Sequence, residues 1–402
     1  MLTQPAPKGI ADLDPVVSDS LLALIALIAA DPRDNKIDVG VGVFRDGEGR
    51  TPIPASVKEA ERRLVESQET KAYLGGWGDR GFTAALRPIV LGPHAGDERI
   101  EGVQTPGGCG ALFLAARLIK LAKPEAKVLV GTPTWPNHPP VLKGAGLEIV
   151  EYRHYDFATR MVDFGALREA ATKATPGDVL LLHGCCHNPT GGDFSEAEWR
   201  EIAAIAKERR LTPLIDIAYQ GFGRGFEEDG YGVRVMLDAC EEVLIAQSCD
   251  KNFGVYRDRV GSFWLKTRDK AATANAMAHV LQIAREAWSM PPDHGAAAAR
   301  IVLEDAGLRS QWQGEVAAMR DRINTVRRRI ADSDQRLGYI ANEYGMFSMM
   351  PLSPDQVRAL RERHAVYMAD SGRFNVVGIA DRDIDRFCAA VIEAMDEVPV
   401  HG

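Results

Sequence analysis

Lys251 stands in Ser248-Cys249-Asp250-Lys251-Asn252-Phe253-Gly254, with Arg259 eight residues further on. A lysine amine can condense with an aldehyde, and a serine hydroxyl and an arginine fork close by can hold a phosphate. Pyridoxal phosphate is the cofactor that carries both groups. It also needs an acid to keep its pyridine nitrogen protonated, donors for its phenolate oxygen and a cradle for its phosphate.

Candidates for these parts lie upstream. Asp216 closes the apolar run Leu214-Ile215, where a carboxylate is costly unless a cation meets it. A pyridinium would be such a cation; a turn or helix-capping aspartate is the plainer reading. Gly107-Gly108-Cys109-Gly110 precedes an apolar helical stretch from Ala111 to Leu121, so backbone N–H groups at a helix N-terminus can meet an anion. Taken singly, a lysine is a solvated surface residue, a glycine run is weak evidence and an arginine is a surface charge. The position of Lys251 after a strand and before Arg259 outweighs the plain reading.

The elements that must carry these residues follow from periodicity. From about Thr51 to Trp264, short apolar runs alternate with helical segments, the pattern of a parallel sheet wrapped by helices. Strands are expected at 127–130, 179–182, 214–217, 243–246 and 261–265. Four of them lead into a motif: Thr132-Pro133-Thr134-Trp135, Cys185-Cys186-His187-Asn188, Asp216 and Lys251. Open α/β sheets bind ligands at such carboxyl ends. From about Leu308 a long charged helix runs through Arg329, and the sequence then reads as a smaller α+β domain.

At 402 residues the chain is too long for one compact core, so two domains with a cleft between them are expected. A net charge of -8 gives no electrostatic case for nucleic acid or an anionic membrane. The cysteines at 109, 185, 186, 240, 249 and 388 lack paired metal-ligand spacing, so no metal is expected, and they fit reduced thiols in a cytoplasmic protein. Leu21 to Ala30 is apolar but too short to span a bilayer, and Asp12, Asp14 and Asp19 precede it where a signal peptide would be basic. It reads as a buried helix capped by Ser18 or Asp19 and ended by Asp31-Pro32.

Three segments together, the one around Lys251, His183-Gly184-Cys185-Cys186-His187-Asn188-Pro189-Thr190-Gly191 and Asp216-Ile217-Ala218-Tyr219-Gln220-Gly221-Phe222, resemble the aspartate and aromatic amino acid branch of the class I aminotransferases. The similarity extends from Asp38-Val39-Gly40-Val41-Gly42 to Arg373. It implies the pyridoxal-phosphate fold type I: an α/β large domain with a mainly parallel sheet flanked by helices, plus a smaller α+β domain. The corresponding division is an N-terminal arm over 1–14, a small domain from 15–45 and 309–402, and a large cofactor domain over 46–308.

The same resemblance implies roles. Lys251 would hold the cofactor aldehyde and carry the substrate proton. Asp216 would face the pyridine nitrogen, backed by His138, while Tyr219 and Asn188 would meet the phenolate oxygen and Trp135 the ring face. Gly108, Cys109, Ser248 and Arg259 would hold the phosphate, with Tyr73 reaching in from a neighbouring subunit. Asn188-Pro189 matches a position where the family has a cis peptide, although a plain turn is open. Arg373 would bind the substrate α-carboxylate, with Gly42, Trp135 and Asn188 also lining the substrate. Arg285, six residues before Pro291-Pro292, would meet a distal carboxylate across the subunit interface. A homodimer with shared active sites, whose partners are small molecules, amino acids and 2-oxo acids, is the implied assembly.

Four positions depart from the family pattern. Cys109 stands for a phosphate-binding threonine, a weaker donor that lowers cofactor affinity. Asp250 replaces a small neutral residue and would repel a phosphate, so it is expected to point away or to pair with a cation. Trp288 and Met290 replace a tyrosine and an asparagine and, with Met349-Met350 after Phe347, shift the pocket toward bulk and softness. That favours an aromatic or large apolar side chain; altered packing alone would explain it too. The leading expectation is transamination between an L-amino acid, aromatic or dicarboxylic (tyrosine, phenylalanine, aspartate), and 2-oxoglutarate. A strict aspartate aminotransferase, a pyridoxal-phosphate decarboxylase or lyase on the same fold, and a non-catalytic binding protein are the alternatives.

Overall fold

Strands covered on both faces read as continuous apolar runs, and such runs build the centre of the computed structural model, which describes residues 9–13 and 20–397. Seven strands form one sheet: β1 (Ile100–Pro106), β2 (Lys127–Thr132), β3 (Glu148–Arg153), β4 (Val179–His183), β5 (Thr212–Ile217), β6 (Val243–Ser248) and β7 (Val260–Lys266). Their order is β1-β7-β6-β5-β4-β2-β3. Strands β2 to β6 pair in parallel, and β7 runs antiparallel to both its neighbours. All five expected strands form, each longer by one or two residues. The two that composition did not reveal, β1 and β3, are the edges of the sheet, where mixed polarity blurs the apolar signal.

Side chains alternate across the sheet with a period of two. In β4, Val179 and Leu181 join the apolar layer under the helices Gly107–Ala122 and Lys270–Ala287, whereas Leu180 and Leu182 join the larger layer on the other face. The larger layer continues to the helix Ala306–Ser333 and the C-terminal elements. Residues Ile37–Asp38 pair in parallel with Val366–Tyr367, and Phe347–Met349 pairs with Arg373–Asn375. The Asn375 side chain donates to the carbonyls of Val41 (2.8 Å) and Val43 (2.7 Å), tying an N-terminal segment to a C-terminal strand.

The apolar stretch near the N-terminus does form a helix, Ser20–Ala30, and it stops before Asp31. The expectation that it is buried is corrected. Of its described side chains only Leu24 is buried, against Ala365 and Tyr367, while Ile25 and Leu27 are exposed. A short helix laid along an edge can bury only one stripe. The proposed caps Ser18 and Asp19, and most of the arm 1–14, lie outside the described residues. No helix among the described residues is long and apolar enough to cross a membrane.

Trp312 anchors the long helix Ala306–Ser333. It is fully buried, stacks on Phe253 with centroids 4.5 Å apart, and its indole N–H donates to the Asn252 carbonyl at 2.8 Å. One side chain thereby fixes the C-terminal part of the chain to the residue next to Lys251. Trp312→Ala is expected to lower the unfolding free energy by about 3–5 kcal/mol, through lost burial and a stranded carbonyl. Urea denaturation measures this, and a loss under about 1 kcal/mol would refute the anchoring role.

Candidate functional site

The carboxyl ends of β4, β5 and β6 open on a cavity of about 380 Å³, closed by the start of the helix Gly107–Ala122, by residues 41–42 and by Phe347 and Arg373. Eleven of the expected site residues line it: Gly42, Gly108, Cys109, Trp135, Asn188, Asp216, Tyr219, Ser248, Lys251, Arg259 and Arg373. They come from segments up to some three hundred residues apart, joined by the sheet order.

Lys251 lies three residues beyond β6, in a turn closed by Gly254 N–H donating to its carbonyl at 3.0 Å. Its amine donates to Ser248 Oγ at 3.4 Å and sits 5.3 Å from the Tyr219 ring centroid. Burial pulls the ammonium pKa down, against the pull of Asp250 and Asp216 in the other direction. A lowered pKa enlarges the neutral, nucleophilic fraction of the amine.

Asp216, one residue from the end of β5, presents a carboxylate to the cavity and holds His138 Nε2 at 3.0 Å with Oδ2. Behind it, His138 Nδ1 lies 2.7 Å from Thr134 Oγ1, and that hydroxyl lies 3.1 Å from His183 Nε2. Ring contacts continue from there: His183 lies tilted against His187 with centroids 4.1 Å apart, and His187 stacks on His154 at 3.8 Å. Burial lowers the pKa of all three, that of His154 to about 4, so they are neutral donors and acceptors. Thr134 and His183 are site residues that sequence reasoning passed over. His183 ends β4 in register with Asp216, so its place at a strand end was the available signal.

Tyr219 and Asn188 meet on the opposite wall, Asn188 Nδ2 to the phenol oxygen at 3.4 Å. Burial, reinforced by Asp216, pushes the phenol above its ordinary pKa, so it is a neutral donor. Asn188 Oδ1 is buried without a hydrogen-bond partner among the described residues, an acceptor left open beside the cavity. The Asn188-Pro189 peptide is cis, as is Thr132-Pro133.

On the anion side, the glycines form the first turn of the helix itself, which starts at Gly107, and do not precede it as expected. Gly107 has a φ of 66°, a left-handed conformation that a side chain would strain. A Cβ on Gly108 would come within 3.1 Å of Ser248 Cβ, so the helix terminus approaches β6 closely. Asp250 takes the second of its expected alternatives: it pairs with Arg259, and its Oδ1 also accepts the Val260 N–H at 2.8 Å. Cys109 Sγ accepts a bond from Asn137 Nδ2 at 3.5 Å, and burial holds its thiol in the protonated form.

Arg373 lies on the short strand Arg373–Asn375, with its guanidinium 5.0 Å over the Phe347 ring and one N–H on the Gly40 carbonyl at 3.0 Å. A Cβ on Gly42 would come within 2.8 Å of Phe347 Cζ, so residue 42 can approach that ring only without a side chain.

Two expected residues stand apart from this cavity. Tyr73 is 93% exposed, and Arg285 is exposed in the last turn of the helix Lys270–Ala287. The Leu74 N–H donates to Met290 Sδ at 3.1 Å, which brings the stretch after Tyr73 into contact with the stretch after Arg285. Trp288 packs on Phe113 at 6.0 Å, away from the cavity lining. The expectation that Met349 and Met350 wall the pocket is corrected: both are buried outside the lining, and Met350 belongs to the larger apolar layer.

The donor set fits a phosphorylated pyridine aldehyde. An amine of lowered pKa, a carboxylate braced by a histidine, a neutral phenol, an asparagine with an unpartnered amide oxygen and a helix N-terminus beside a guanidinium line one cleft.

Comparison with known proteins agrees with this geometry. The family described as aminotransferase class I and II matches residues 34–391. A tyrosine aminotransferase of Rhizobium meliloti is 47% identical over 90% of this chain and 94% of its own. An aromatic-amino-acid aminotransferase of Pseudomonas aeruginosa is 42% identical over 94% and 97%. The crystal structure of an aromatic-amino-acid aminotransferase from Burkholderia pseudomallei, covalently bound to pyridoxal phosphate, superposes with a TM-score of 0.94 at 33% identity, covering 97% of this chain and 100% of that one.

Proposed function

Because the chain belongs to the class I and II aminotransferase family, we propose that it transfers the amino group of aromatic L-amino acids, tyrosine and phenylalanine, to 2-oxoglutarate and also accepts aspartate. It is an aminotransferase whose cofactor is pyridoxal 5'-phosphate. The observation that carries the reading is the convergence of Lys251 and Asp216 on one cavity that also receives two guanidinium groups, Arg259 and Arg373.

When bound, the cofactor supplies an aldehyde and a ring that withdraws electrons from the substrate α carbon. Lys251 Nζ would hold the aldehyde and, once the substrate amine has displaced it, would be free to take the α proton as a general base, which its lowered pKa favours. Asp216, fixed by His138, would present its carboxylate to the ring nitrogen. Tyr219 and Asn188 would orient the ring oxygen, Trp135 would cover a ring face, and Gly108, Cys109, Ser248 and Arg259 would hold the phosphate. Arg373 pairs with the substrate α-carboxylate, and Phe347 and Gly42 close over the substrate. The proposed small domain, 15–45 with 309–402, is supported within its described residues by the pairing of Ile37–Asp38 with Val366–Tyr367, and 46–308 would be the large one.

Protein loaded with cofactor and mixed with L-phenylalanine, without oxo acid, is expected to release one equivalent of the corresponding 2-oxo acid per site. Release of carbon dioxide or ammonia instead would transfer the chain to the decarboxylase or lyase reading.

The working form is a homodimer with shared active sites. Support comes from Tyr73 and Arg285, both exposed, both absent from their own chain's cavity and followed by stretches that touch at Leu74 and Met290. The cytoplasm is the proposed location, supported by six free thiols. Arg285→Ala is expected to raise KM for aspartate roughly thirtyfold or more, about 2 kcal/mol for a truncated charge pair, and to change KM for phenylalanine less than about threefold. Equal losses for both substrates in steady-state kinetics would remove Arg285 from substrate recognition.

A further inference from the structure

We infer that Asp250 makes phosphate binding proton-linked: Arg259 exchanges the Asp250 carboxylate for the phosphate, and one proton enters the site as it does so. The inference rests on the proposed placement of the cofactor phosphate beside Gly108, Ser248 and Arg259.

Asp250 is 1% exposed and already fully engaged, one oxygen on the Arg259 guanidinium and the other on the Val260 N–H. The pair lies directly on the anion cradle. A Cβ added to Gly107 would come within 2.5 Å of the Arg259 guanidinium and 3.0 Å of Asp250 Oδ2. An anion at this helix terminus therefore meets an arginine whose charge is already balanced.

The charged and titratable groups around Asp250 come from three directions. Lys251 and Cys249 flank it on its own segment, Tyr256 faces it from the loop that follows, and Arg259 faces it from the start of β7. Beyond Lys251 stand Asp216 of β5 and Cys109 of the helix. Lys251 and Arg259 thus already face Asp250 and Asp216, so a doubly charged phosphate arrives beside cations that have carboxylate partners.

Burial already raises the Asp250 carboxyl above its ordinary pKa, opposed by Lys251 and Arg259. When Arg259 turns to the phosphate and a dianion comes alongside, both changes push in that same upward direction. The carboxyl and a phosphate oxygen then share a proton drawn from solvent in an O–H···O bond, and no other group releases one. The bound state has the higher pKa. Affinity is therefore greatest below the pKa of the free site and falls about tenfold per pH unit between the free and bound values. The Arg259 guanidinium is meanwhile held ready for the anion.

The test uses inorganic phosphate as the probe and calorimetry at about pH 8.5, where the free anion is doubly charged. The full chain carries Lys251→Ala, so that no amine titrates, and is freed of cofactor. Titrations in buffers of different ionisation enthalpy give the protons bound. The expected result is uptake of about one proton per phosphate, with affinity falling about tenfold from pH 8 to pH 9. Adding Asp250→Asn, or Asp250→Ser should the amide disturb folding, is expected to abolish both effects. Equal proton uptake with and without the carboxylate, or none with it, overturns the inference. A third arm separates the two readings: if Arg259→Ala leaves phosphate affinity unchanged, the phosphate does not bind there and the site assignment itself falls.

Discussion

Replacing Lys251 with alanine is expected to lower kcat/KM for phenylalanine by roughly ten-thousandfold or more, because the proposed mechanism assigns to one side chain both the amine that holds the aldehyde and the base that moves the α proton. Its surroundings serve both tasks. Burial favours the neutral amine, and Ser248 Oγ at 3.4 Å gives it a fixed partner. The fold should survive the change, since Lys251 borders a cavity and lies outside the buried apolar layers. Borohydride treatment of the loaded wild-type protein, followed by peptide mass analysis, is expected to find the cofactor on residue 251. A label elsewhere, or an alanine variant within tenfold of wild type, would end the proposed chemistry.

Asp216→Asn is expected to lower kcat by a factor of about a hundred to ten thousand. The substitution keeps the size of the side chain, and an amide oxygen can still accept from His138 Nε2, now 3.0 Å from the carboxylate. What disappears is a negative charge at a buried strand end, where low dielectric makes it count. The discriminating readouts are the pH dependence of the bound cofactor's absorbance, which a merely structural residue would not move, and urea stability, which should stay within about 1 kcal/mol. A rate within tenfold of wild type would show that the carboxylate does not govern the ring.

These expectations make the departure at Asp250 more informative. As a sequence feature it reads as an acidic residue placed against a phosphate, and its two resolutions, pointing away or pairing, are equally open. The structure chooses pairing because Arg259 returns at the start of β7, beside the end of β6. Register between those strands, seen in Gly261 opposite Ser248, brings the two side chains together. The relay behind Asp216 was hidden for a similar reason. Thr134 follows β2 and His183 ends β4, and only the adjacency of β2, β4 and β5 turns three separate side chains into one network.

The errors at the periphery share a cause. The edge strands β1 and β3 are part polar, and the helix Ser20–Ala30 is apolar yet largely exposed, because composition reports what a segment can bury and not what lies beside it. Met349 and Met350 follow a cavity-lining phenylalanine in sequence but pack into the interior.

From the sequence alone, through its apolar runs and the family resemblance of its short motifs, came the class of chemistry, the five inner strands and the eleven residues that prove to line one cavity, since such runs and motifs are local properties of a chain. Which charges face each other, which glycine admits a ring and which distant stretches touch were decided by the folded molecule. Pairing energies depend on distances of a few ångströms and on burial, and both follow the order of strands in the sheet, which differs from their order along the chain.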